Sequence, residues 1–301
     1  MALSIGEDRP PPDDRLAGAK RAVRDRRVGR SHEKIQRGAA GRLAICTTVQ
    51  TALRQQRLLF AFQPVFCAAT GKIDYFECLL RMRDLGGSLI CGGEFITSLE
   101  QLGRIGFIDD YVLDRTVHEL ANNPSIKLGL NVSSRTAREG SWLRSLISLV
   151  QNRPGLAQRL VVEITETAAF SDIEETARFV DTLRKAGCRV ALDDFGVGHT
   201  SLRHLETLAV DTIKIDRSFI RNLARNQEKK ALLRELLSAI RAFGFATVAE
   251  GVESAEDAGA VRAEGFGYLQ GYHLGPPTID RVWLRDGATH TATSSLLSFG
   301  R

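Results

Sequence analysis

No apolar run in the 301 residues approaches 18, so nothing in the chain resembles a membrane-spanning helix. The opening Met-Ala-Leu-Ser-Ile is too short for the apolar core of a secretory signal. Cysteine is sparse: Cys46, Cys67, Cys78, Cys91 and Cys188 are odd in number and include no C-x-x-C pair. That excludes a disulfide framework and a zinc ribbon, and it suits a reducing compartment. A soluble protein of the cytoplasm, or a soluble piece of a larger one, is expected. The six histidines include no pair placed for a nitrogen-ligand site. No glycine-rich phosphate fingerprint follows an early strand-like run, which counts against a dinucleotide-binding open sheet.

What is present begins with a hydrophobic fraction of 43%, enough for a packed core. The net charge of +5 is not spread over the chain. Residues 1–42 hold 11 Lys/Arg against 6 Asp/Glu, and the rest carries 30 of each sign. A neutral body predicts no DNA or RNA partner. With Pro10-Pro11-Pro12 and few large apolar residues, 1–42 is expected to be a basic, solvated leader or linker, the alternative being a basic helix at 19–30 on an anionic partner. The folded unit is expected at 43–290, followed by a tail at 291–301.

From residue 43, β-branched, aromatic or leucine-rich runs alternate with segments of helical period. Strands are expected at 58–66, 73–81, 126–134, 159–167, 188–196, 210–216, 245–251 and 266–272. Intervening helices include 107–120, 172–187 and 230–244, with Gly187 and Gly244 placed to close two of them. Eight strands alternating with helices predict a TIM-type (β/α)8 barrel. Only Ala-Ala-Thr-Gly-Lys (68–72) separates the first two runs, too short for a parallel crossover. The expected fold is therefore α/β, a modified TIM barrel with an antiparallel first strand.

The segment VALDDFGVGHTSL (190–202) ends an apolar run on two adjacent aspartates, which repel and need a positive partner if buried. The carboxyl ends of the other expected strands are polar too. They carry Glu77 with Arg81, Asn131, Glu163 with Glu166, Lys214 with Asp216, Glu250, and Gln270. In a barrel these ends form the active face. The oxygen donors, with no His or Cys among them, suit Mg²⁺ or Mn²⁺ better than zinc. Two such ions about 3.5–4 Å apart would clamp the attacking and leaving oxygens of a phosphodiester displacement. Lys214 and Glu250 could orient or deprotonate a water, Gln270 offers an amide, and Arg81 offers a fork for phosphate or a guanine edge. Taken singly, these residues have plainer readings: a Glu77–Arg81 ion pair, an Asn131–Ser133 loop end, helix caps at Glu163, Asp193 or Asp194. Cys78 is expected to fill space on the opposite strand face.

On these residues the chain resembles the EAL-domain cyclic di-GMP phosphodiesterases of bacterial signalling, across about residues 45–290. The naming motif Glu-Ala-Leu stands here as Glu77-Cys78-Leu79. FQPV (62–65), NVS (131–133), EITE (163–166), DDFGVG (193–198), KIDRSF (214–219), AEGVE (249–253) and QGY (270–272) follow in family order. The resemblance implies hydrolysis of cyclic di-GMP to linear pGpG with two Mg²⁺ or Mn²⁺ ions. It implies Glu77, Asn131, Glu163, Asp193, Asp194 and Glu250 as metal ligands, with Asp193 shared. Lys214 would hold the attacking water and Glu250 would act as general base. Gln63, Leu79, Arg81 and Gln270 would touch substrate. Glu166 and Glu253 would support the loop after Asp194, through which family members tend to dimerise. The chain departs from the family pattern at Cys78, at Val197, His199 and Thr200, and at CGGEFI (91–96), which lacks the family's proline. A catalytically impaired cyclic di-GMP receptor and an enolase-like, Mg-dependent barrel enzyme are the rival readings.

Overall fold

The computed structural model describes residues 38–197 and 203–284. Residues 1–37 of the expected leader, the expected tail, and His199 and Thr200 lie outside the described residues. Strand β1 (Leu58–Cys67) forms an antiparallel hairpin with β2 (Ile73–Arg83), and a short β3 (Leu89–Cys91) adds to the other side of β2. Strands β4 (Leu128–Val132), β5 (Leu160–Thr165), β6 (Arg189–Phe195), β7 (Thr212–Ile215), β8 (Ala246–Ala249) and β9 (Tyr268–Leu269) run parallel to β2. The sheet order is β1-β9-β8-β7-β6-β5-β4-β2-β3, and the β1–β2 pairing closes it into a barrel of eight strands among the described residues. β1 is antiparallel to both neighbours, as the five-residue link requires.

Helices cover the outside, chiefly α1 (Ala39–Arg54), α2 (Ile96–Gln101), α3 (Gly106–Asn122), α4 (Ser134–Arg138), α5 (Gly140–Gln151), α6 (Glu166–Ser171) and α7 (Ile173–Lys185). They continue with α8 (Arg203–Leu208), α9 (Arg217–Ile220), α10 (Gln227–Ala242) and α11 (Ala255–Ala263). The local signals are ordinary. Asp172 caps α7 by accepting from Glu175 N at 3.0 Å, with acids in its first turn and Arg184 and Lys185 in its last. Gly187 and Gly244 take positive φ (96° and 81°) where α7 and α10 end. Residues 39–42, inside the stretch expected to be leader, form the first turn of α1. None of the described helices is long and apolar enough to cross a membrane.

Two apolar regions result from strand alternation. The larger lies between the outer strand faces and the helices, and includes Phe76, Leu130, Val162, Leu192 and Ile213. Cys78 belongs to it, on the strand face opposite Glu77. The smaller comprises Val65, Tyr75, Val161, Ala191 and Val248, with Tyr268 packed against it. Each of these six stands two residues from one of Gln63, Glu77, Glu163, Asp193, Glu250 and Gln270. The small cluster is thus the floor inside the barrel, and the polar residues form the layer above it.

Candidate active site

Lys214 on β7 is the centre of that layer. Its side chain is 1% exposed, and its Nζ lies 2.7 Å from Glu163 Oε2, 2.9 Å from Asp193 Oδ1, 2.9 Å from Glu250 Oε1 and 3.4 Å from Glu77 Oε2. The pairing register explains part of the convergence. Gln63 sits directly across from Glu77, and Asn131 beside Glu163. Gln270 Nε2 donates to Glu77 Oε2 at 2.6 Å and to Gln63 Oε1 at 3.3 Å, while Asn131 Nδ2 donates to Glu77 Oε1 at 2.8 Å. Glu77 therefore pairs with Lys214, and the plainer Glu77–Arg81 ion pair is not what the fold builds. Arg81 instead donates to the Leu80 carbonyl at 2.9 Å.

Adjacent strand residues should face opposite ways, yet Asp193 and Asp194 both serve this face. The β6–β7 register shifts between Leu192 and Phe195, and Asp194 takes φ 56°. This local irregularity turns the strand end so that both carboxylates reach the same region. Two acidic groups result, each with oxygens within 4.8 Å of one another: Glu77, Glu163 and Asp193, and Asp193, Asp194 and Glu250. Asp193 is common to both.

The turn after Asp194 is held from below. Gly196 N donates to Glu166 Oε2 at 2.8 Å, and Gly196 has φ 101° with the Phe219 ring so close that a Cβ would overlap it. Ser133 caps α4 and donates to Asp109 Oδ2 at 2.5 Å, outside the site. An open pocket of about 430 Å³ lies above the carboxylates, lined among others by Gln63, Asp216, Arg217, Glu253 and Tyr272. Glu253 is exposed on its rim, and Leu79 is half-buried on β2.

Two contributors escaped the sequence reading. Tyr75, two residues before Glu77, donates its hydroxyl to Glu163 Oε1 at 2.9 Å. Gly129 makes room for that contact, since a Cβ there would stand 2.7 Å from Glu163 Oε1 and 2.8 Å from Tyr75 Cε2. Both lie on the inward-facing period of their strands, two residues before Glu77 and Asn131, and that period was the available signal.

The sequence matches the EAL domain over residues 47–277. The chain belongs to the EAL-domain family. The cyclic di-GMP phosphodiesterase PdeF of Escherichia coli K12 is 29% identical over 247 residues, 81% of this chain and 33% of that protein. Among solved structures, the PaMucR phosphodiesterase in complex with c-di-GMP matches with a TM-score of 0.72 at 27% identity, covering 78% of this chain and 97% of that one. The FimX EAL domain from Pseudomonas aeruginosa bound to c-di-GMP matches with a TM-score of 0.73 at 26% identity, over 78% and 97%. The chain spans about a third of the length of several curated relatives it matches.

In this EAL domain four carboxylates contact one ammonium and a fifth, Asp194, adjoins Asp193 and Glu250, an excess of four negative charges if all are ionised. The titration of the acids records that excess. Burial first, then the Glu77 and Asp193 charges, push Glu163 up to about 8 against the pull of Lys214. Burial and Asp193 push Asp194 up to about 6, and burial and Asp193 hold Glu250 well above the usual carboxylate range. Glu77 is shifted the other way, below its ordinary value: burial opposes this, but Lys214, Gln270 and Asn131 outweigh it. The same acids hold Lys214 well above its ordinary value despite burial. A site of hard oxygen donors short of positive charge fits divalent cations, which would be held by the two acidic groups and Asn131.

The native metal-free protein keeps protons on Glu163 and Asp194 that the unfolded chain releases near pH 4, so its stability should fall as pH rises from about 4 to 8. Thermal unfolding in EDTA should show a Tm that declines across that window. Added Mg²⁺ or Mn²⁺ should raise Tm more at pH 8 than at pH 5. A metal-insensitive Tm that stays flat with pH would remove the charge-crowding account.

Proposed function

We propose that this EAL domain hydrolyses cyclic di-GMP to linear pGpG, using Mg²⁺ or Mn²⁺, two per site. The observation that carries the proposal is the ring of carboxylates around Lys214 at the strand ends, divided into two groups that share Asp193. The bound ions would supply charge neutralisation at the phosphodiester and acidify a water.

The chain's own groups supply the rest. Glu250 faces the pocket beside Lys214, and burial and the Asp193 charge hold its carboxyl well above the usual carboxylate range, which raises its affinity for a proton taken from the attacking water. Lys214, permanently charged, would hold that water's oxygen and keep Glu250 oriented. Gln270 Oε1 is buried without a hydrogen-bond partner among the described residues, so it offers an acceptor to a substrate N–H. Gln63, Leu79 and Arg81 would complete the substrate contacts, and Glu166 and Glu253 would support the loop after Asp194. Dimerisation through that loop and a cytoplasmic location belong to the same proposal.

The test is chromatographic. Purified protein incubated with cyclic di-GMP and Mg²⁺ or Mn²⁺ should yield pGpG, and EDTA should stop it. Glu250→Gln should still bind the dinucleotide but lose rate by about 10²–10⁴. Tight binding without product in the unaltered protein would replace the enzyme reading with a receptor.

A further inference from the structure

We propose that Tyr75 is a positioning residue for the metal site, fixing the Glu163 carboxylate from beneath the barrel's polar layer. This rests on the metal-dependent reading of the site above. Glu163 is wholly buried, and its two oxygens are claimed separately: Oε2 by Lys214 at 2.7 Å and Oε1 by the Tyr75 hydroxyl at 2.9 Å. Held at both oxygens, the carboxylate cannot rotate about its last torsion. A ligand fixed in this way loses less freedom on meeting a cation than one free to turn.

The tyrosine is itself fixed. Its ring lies inside the barrel among Val65, Val161, Ala191 and Val248. The Arg189 guanidinium sits 5.7 Å from the ring centroid and is tied to Asp74 Oδ2 at 2.9 Å. Gly129 keeps the path between hydroxyl and carboxylate open, because any side chain there would occupy it. In this contact the hydroxyl donates and the carboxylate oxygen accepts.

The plainer role for a buried tyrosine is packing, with its hydroxyl merely satisfied. Tyr75→Phe separates the two, because it keeps the ring and removes only the donor. Mn²⁺ affinity should be measured by electron paramagnetic resonance at a temperature where both proteins give the same circular dichroism spectrum. Loss of such an orienting bond weakens metal binding about 10–100-fold, and that is the expected result. In the hydrolysis assay the rate of Tyr75→Phe should recover as Mn²⁺ is raised, with KM for the dinucleotide unchanged. Equal Mn²⁺ affinity in the two proteins would overturn the positioning role and leave the metal site intact. Failure of the unaltered protein to bind Mn²⁺ would overturn the metal reading itself, and this inference with it.

Discussion

Asp193→Asn should abolish most turnover while leaving the metal-free fold as stable as before or more so. Removing one preorganised electrostatic group typically costs about 10²–10³ in kcat. Here that range is a lower bound, because Asp193 belongs to both acidic groups and no other residue does. The stability effect has the opposite sign. Four carboxylates share one ammonium with Asp194 close by, and Lys214 keeps contacts with Glu163, Glu250 and Glu77 after Asp193 is neutralised. Relief of like-charge repulsion at the strand end should hold or raise Tm in EDTA at about pH 8, the usual trade between stability and a strained functional site. Paired measurements of kcat and Tm decide it. Full activity would remove Asp193 as the shared ligand, and a large drop in Tm would make it chiefly Lys214's structural counterion.

Much of this site was legible because a barrel strand turns sequence into geometry with a period of two. Glu77, Glu163 and Gln270 were expected toward the active face from sequence, since each interrupts a strand-like apolar run where the barrel interior should otherwise be filled by apolar residues. The antiparallel β1 was legible from a five-residue link alone. The pairing of Glu77 with Lys214 was not. Arg81 is four residues away in sequence and Lys214 is 137, and only closure of the barrel makes the distant one the neighbour.

From 126–134 onward, the expected strands run longer than the ladders observed. Expected strand 266–272 becomes β9 at Tyr268–Leu269, and 245–251 becomes β8 at Ala246–Ala249. At these ends the chain turns to deliver Glu250 and Gln270, so residues that look strand-like by composition leave the hydrogen-bond ladder. β3, three residues long, had no periodic signal to find. The β1–β2 hairpin lacks a crossover helix on its outer face. Thr278 instead bridges Phe62 along the β1 edge away from β2, and Trp283 packs on Phe62 and Phe76 at centroid distances of 4.8 and 5.0 Å. That closing segment has no regular period, and sequence pattern does not assign it a place.

Lys214→Met should have the largest effect on stability of any single change in the site. Methionine can occupy the length of the lysine stem, but it leaves Glu163, Asp193, Glu250 and Glu77 facing one another with no cation among them. Breaking a buried pair from one side costs about 3–5 kcal/mol. For a domain of this size each kcal/mol moves Tm by about 2–4 °C, so the metal-free protein should melt roughly 6–20 °C lower at about pH 8. The loss should shrink toward pH 5, where the carboxyls can protonate instead of repelling. Mn²⁺ should restore more Tm to Lys214→Met than to the unaltered protein, because it then takes the place of the missing ammonium among the acids. Turnover should stay lost even at saturating Mn²⁺, since Glu250 and the attacking water lose the ammonium that orients them. A metal-free Tm unchanged at about pH 8 would mean that the acids are already neutral there and that Lys214 is not their counterion. Recovered turnover in Mn²⁺ would confine the lysine to stability and take it out of the chemistry.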